Sequence, residues 1–89
     1  MTNYIIICNT ENENIAVQAK ILALGGKWVS GKTDVQYTDK PVLVFDDLNS
    51  DERAISYYET IMSNEYKKRY CYKKHKTITA IEFLRKRKI

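Results

Sequence analysis

The 89-residue sequence is poor in the residues that usually advertise chemistry. It has one proline, three glycines, two cysteines, one histidine and one tryptophan. Two thiols, Cys8 and Cys71, are too few for a disulfide framework and fit the reduced cysteines of a cytoplasmic protein. Structural zinc takes four ligands, and Cys71-x-x-x-His75 with the distant Cys8 falls short of that. No metal or other cofactor is expected. The scarcity of proline and glycine, beside 44% hydrophobic and 29% charged residues, excludes extended disorder. No apolar run approaches the ~20 residues of a membrane-spanning helix. The start, MTNYIIIC, has no basic stretch before its short apolar run, so no signal peptide is expected.

What the chain does have is a lopsided charge. Residues 1–66 carry 5 Lys/Arg against 10 Asp/Glu, whereas residues 67–89 carry 10 Lys/Arg against the single Glu82. The net charge of +4 therefore conceals a single domain, 1–89, with an acidic body over 1–66 and a basic C-terminal region over 67–89. Such segregation suits a polyanion or an acidic protein as partner. At this length one modest core is expected.

The hydrophobic pattern predicts an α+β fold, a small mostly antiparallel sheet with the N-terminal helix on one face and a short C-terminal helix. Asn3–Cys8 is apolar and β-branched and reads as a buried strand. In the next helix, apolar residues at 15, 19 and 22 and at 17, 21 and 24 make a broad stripe, which Gly25-Gly26 ends. Lys27–Ser30, Asp34–Thr38 and Val42–Asp46 read as a three-strand meander. Its turns would be Ser30-Gly31-Lys32 and Asp39-Lys40-Pro41, with Trp28, Val35 and Tyr37 pointing inward. Residues 49–63 lean towards helix, although AISYY would also suit a strand. Thr79-x-x-Glu82 is a capping box with Ile78 and Phe83 as its hydrophobic staple, opening a helix from about residue 80 into Arg85–Lys88.

Within GGKWVSGKT, residues 26–33 match the G-x-x-x-x-G-K-T of a phosphate-binding loop. That loop needs a parallel strand before it and a helix after it. Here a helix precedes it, and the β-like DVQYTDKP follows. A hairpin turn with a solvated Lys32 is the expectation, and PVLVFDD becomes a core strand whose Asp46 and Asp47 begin a loop.

The stronger signal is YKKRYCYKKHK, residues 66–76. Six cations and His75 fall among three tyrosines, and phosphate backbones favour closely spaced cations because each contact releases counterions. Tyrosine offers flat rings for unpaired bases. Lys67, Lys68, Arg69, Lys73, Lys74, Lys76 and His75 are the candidate phosphate contacts, with Tyr70 and Tyr72 for stacking and Arg85 and Arg87 extending the patch. A Cys71/His75 nucleophilic pair would need an orienting acid and an oxyanion site, neither of which stands nearby in the sequence. No enzyme activity is expected.

LGGKWVSGK, together with Ile78-Thr79-Ala80-Ile81-Glu82-Phe83-Leu84, resembles small bacteriophage accessory proteins of the host-takeover and counter-defence kind. The resemblance covers most of 3–46 and 77–84, while 49–76 departs from it by a longer, more basic insertion. It implies a non-enzymatic binder in the host cytoplasm, similar to the RNA-binding inhibitors of toxin–antitoxin defence. RNA or single-stranded nucleic acid is the expected partner. An acidic host protein bound directly, or a small nucleotide signal sequestered by the chain, are the alternatives. No membrane association is expected.

Overall fold

The computed structural model describes residues 3–49, 52–58 and 75–87, and they form an α+β domain. Five strands, β1 (Tyr4–Ile7), β2 (Lys27–Trp28), β3 (Val42–Asn49), β4 (Glu52–Tyr58) and β5 (Lys76–Thr79), lie in the order β2-β4-β3-β1-β5. The central β4–β3 and β3–β1 ladders are antiparallel, and the two outer ladders, β2–β4 and β1–β5, are parallel. Helices α1 (Glu11–Ala23) and α2 (Ala80–Arg85) both pack on one face.

Strand periodicity builds that face. The register aligns Trp28, Ile55, Phe45, Tyr4 and Lys76 in one row across all five strands. The next row on the same face is Tyr57, Leu43, Ile6 and Ile78. Val17 and Ile21 of α1, and Ala80 and Phe83 of α2, close over these rows into one core. Phe83 meets Tyr4 and Phe45 edge-on, with centroids 5.7 and 5.9 Å away, the separation at which ring quadrupoles attract. On the opposite face Ile5, Val42 and Val44 are also fully buried.

The helix ends follow their sequence signals. Thr10 caps α1 by accepting from the Glu13 amide, and the Glu13 carboxylate reaches back to the Asn9 amide. At the other end, Gly25 donates to the Leu22 carbonyl and Gly26 to that of Ile21. Gly25 takes φ +88°, and a Cβ on Gly26 would lie 2.5 Å from the Ile21 side chain, so the two glycines serve different needs. The Thr79/Glu82 capping box is present, and Ile78 and Phe83 are buried together as its staple.

Four expectations need correction. Asp34–Thr38 is not a strand, because its backbone groups bond to side chains of α1 and to the Trp28 indole instead of to a neighbouring strand. β2 accordingly pairs in parallel with β4, so there is no meander. Residues 52–58 are strand rather than helix, since pairing with β3 outweighs the helical spacing of their apolar residues. Asp46 and Asp47 do not begin a loop but continue β3, where Asp46 pairs with Ala54 and Asp47 with Arg53. Asn49 ends β3, and residues 50–51 and 59–63 lie outside the described residues.

Candidate nucleic-acid interface

Lys67, Lys68, Arg69, Tyr70, Tyr72, Lys73 and Lys74 lie outside the described residues, as does Cys71. Lys76, Arg85 and Arg87 are described and exposed. Lys76 opens β5, an outer strand of the sheet as described, and its register partner is Tyr4. Lys76 faces the helix side, as Ile78 does two residues later. The Lys86 ammonium lies 5.4 Å from the centre of the Tyr4 ring. Lys76 and Lys86 are thus brought to the same end of β1, and Arg85 and Arg87 flank Lys86 in the chain. Among the described residues, Lys76, Arg85 and Arg87 form no ion pair.

His75 departs from the expected solvent-facing patch. Its side chain is 0% exposed, and Nε2 lies 2.6 Å from Oδ1 of Asp46 on β3. The reason is the topology, which sets the start of β5 two strands away from the acid-bearing end of β3. Asn3 bridges that end of the sheet. Its carbonyl accepts from the Lys76 amide, and its side-chain Oδ1 accepts from the Asp47 amide. The acid that the sequence does not place near His75 is therefore Asp46, 29 residues away.

Asp47 is buried, with its side chain 3% exposed, and its Oδ1 accepts from Arg53 Nε at 3.2 Å. The same guanidinium donates to the Leu24 carbonyl at the end of α1, 2.9 Å away. Lys20 plays a matching part for α2, donating to the Phe83 and Leu84 carbonyls at 2.8 and 3.2 Å and to that of Lys86. Desolvation, and secondarily the charge of Lys86, lowers the Lys20 pKa.

Cys8 does not have the setting of a reactive thiol. It is buried, and desolvation, helped by Glu13, pushes its thiol up to about 12. A cleft of about 250 Å³ opens beside it, lined by Thr10, Glu11, Asp39, Lys40 and Pro41 among others. The Thr10 hydroxyl and Glu13 carboxylate already occupy amides there, and Glu11 and Asp39 add negative charge. The cleft is therefore ill suited to a phosphate.

One arrangement was missed by the sequence reading. Asn14 and Gln18, one turn apart on α1, are fully buried, while Ile15 and Leu24 of the predicted stripe are partly exposed. Asn14 Nδ2 donates to the carbonyls of Tyr37 (3.2 Å) and Lys40 (2.8 Å). Gln18 accepts from the Gln36 amide (2.9 Å) and donates back to the Gln36 carbonyl. Two side-chain amides thus do for this loop what a neighbouring strand would have done. Trp28 adds a third tie, its indole N–H donating to the Asp34 carbonyl.

The tied loop holds Tyr37 at φ +53°, a left-handed conformation that costs a residue with a Cβ about 1–2 kcal/mol. Tyr37 is not buried as expected but 47% exposed, and Val35 is exposed as well. Behind it the ring rests on Tyr57, centroids 4.6 Å apart and planes 34° apart, and meets Trp28 edge-on at 5.3 Å. The Lys40 ammonium lies 5.3 Å from the Tyr57 ring. The signal available beforehand was Asn14 and Gln18 sharing a helix face with Val17 and Ile21, a polar pair in a buried position.

Among the described residues no helix is long and apolar enough to cross a membrane, and no three metal-ligating side chains cluster. Comparison of the chain with family models, curated proteins and solved structures gives no match.

Proposed function

We propose that this chain is a non-enzymatic phage-type accessory protein that binds RNA or single-stranded nucleic acid through its basic C-terminal region. Its setting is the cytoplasm of a host, where such binding would inhibit a defence system. The observation that carries the reading is the charge segregation, 10 Lys/Arg against one acid over residues 67–89. Lys76, Arg85 and Arg87 support it. They are exposed and spend their charge on no acid among the described residues, which leaves them available to phosphates. His75 is set aside as a phosphate contact because its imidazole is buried on Asp46.

The test is a salt titration of binding to a labelled single-stranded RNA of mixed sequence, read by fluorescence anisotropy. Each phosphate neutralised on a single strand contributes a slope of about −0.7 in log K against log salt. Four or more contacts should therefore give a slope steeper than about −2.8. Replacing Lys67, Lys68 and Arg69 together by Ala should flatten it by roughly 2. Binding that ignores salt, or a triple variant with the parental slope, rejects the reading. An acidic protein that copurifies through nuclease treatment and is lost with the same triple variant would assign the surface to that protein instead.

A further inference from the structure

We propose that Tyr37 is a stacking platform for an unpaired base, a second contact for the nucleic acid held by the basic region. The inference rests on the reading just given and adds a position in the acidic body that the charge pattern does not reveal.

Three observations converge on it. The first is that Tyr37 stays 47% exposed although its ring is braced by two others. Tyr57 lies against it at 4.6 Å and Trp28 supports it edge-on at 5.3 Å, so little side-chain freedom remains to be lost when a ligand stacks. The second is the backbone. Tyr37 occupies φ +53°, where glycine or asparagine would be at ease, yet a tyrosine that stays 47% exposed stands there. A strained residue kept in place by its surroundings marks a position held for use. The third is the means of holding it. Asn14 and Gln18 give up solvent exposure on α1 to bond the backbone of residues 36, 37 and 40, which fixes the loop on either side of the ring.

Nearby charge suits a strand that passes over the ring without being gripped there. Lys32 is exposed, Lys40 lies against Tyr57, and Asp34 and Asp39 offset them. Flat-ring stacking without a strong local phosphate clamp predicts that the platform discriminates between strands with and without bases. It is not expected to read sequence, because every base presents a π-face.

The experiment measures binding of the full chain to two labelled strands of equal length, an oligoadenylate and an abasic ribose-phosphate strand. The parent protein should bind the oligoadenylate about tenfold more tightly than the abasic strand. Tyr37→Gly removes the ring while suiting the left-handed backbone, so the fold is kept, as an unchanged thermal midpoint will check. Its preference for the oligoadenylate should fall severalfold, any remainder belonging to Tyr70 or Tyr72, and Tyr37→Phe should keep the parental preference. If the parent prefers the oligoadenylate and Tyr37→Gly leaves that preference intact, the platform is overturned while RNA binding stands. An equal loss on both strands also overturns it, because Tyr37 would then act only through structure. If the parent binds neither strand, both this inference and the reading beneath it fall. A protein that the parent captures after nuclease treatment and Tyr37→Gly does not would give the platform to a protein and overturn the proposal.

Discussion

Three of the five cations of the acidic body and the exposed cations described at the basic end are put to opposite uses. In the body, Arg53 joins a buried carboxylate to the end of α1, and Lys20 bonds the last carbonyls of α2. Lys40 lies against the Tyr57 ring. Each of these charges is engaged in holding the fold. At the other end Lys76, Arg85 and Arg87 stand exposed, with no ion pair among the described residues. A count of Lys and Arg treats the two groups alike. Their surroundings separate charge used in folding from charge left for a partner.

The comparison breaks most visibly at Arg53. Replacing it with Met keeps an apolar stem of similar length but strands Asp47, whose side chain is 3% exposed. An unpaired buried carboxylate is costly, so Arg53→Met should lose roughly 3 kcal/mol of stability, read from the urea midpoint with an unchanged slope. Because the Leu24 carbonyl loses its donor too, amide exchange at the C-terminal end of α1 should quicken. A variant as stable as the parent would mean that Arg53 belongs with the uncommitted cations.

A smaller effect is expected at Lys20. Lys20→Met retains the stem and removes the ammonium that bonds the carbonyls ending α2. α2 has only six residues and relies on its ends, so about 1 kcal/mol should be lost. The loss should persist in high salt, since direct bonds to carbonyls are screened less than long-range attraction. Complete recovery in salt would show a diffuse charge effect rather than a helix cap.

How far the sequence reveals these roles depends on distance along the chain. β1, the ends of α1, the capping box of α2 and the α+β class are legible because each is written in neighbouring residues. Arg53 with Leu24 and Lys20 with Phe83 are 29 and 63 residues apart, and nothing local distinguishes either cation from a solvated one. β4 was misread for a related reason. Ala54, Ile55 and Tyr58 fit one turn of helix while Ile55 and Tyr57 fit a period of two, and only the neighbouring β3 decides. Residues 34–38 had strand-like composition but find their partners in the side chains of α1, an arrangement no periodicity records. The His75–Asp46 contact was hidden in the same way, behind the sheet order.

The smallest expected change in stability tests the other side of the comparison. Replacing Lys76, Arg85 and Arg87 together by Ala removes three exposed charges that no ion pair among the described residues uses. Alanine is also a good helix former at position 85, within α2. The thermal or urea midpoint should therefore move by less than about 0.5 kcal/mol, the ordinary range for surface substitutions. A shift in either direction within that range is consistent with free charge, and relief of repulsion around Lys86 favours a slight gain. A loss as large as that of Lys20→Met would place these residues among the structural cations and remove their support for the proposed surface. If stability holds, the same variant isolates the contribution of folded-state charge to RNA binding, because the Arg53 and Lys20 ties to the helix ends are untouched.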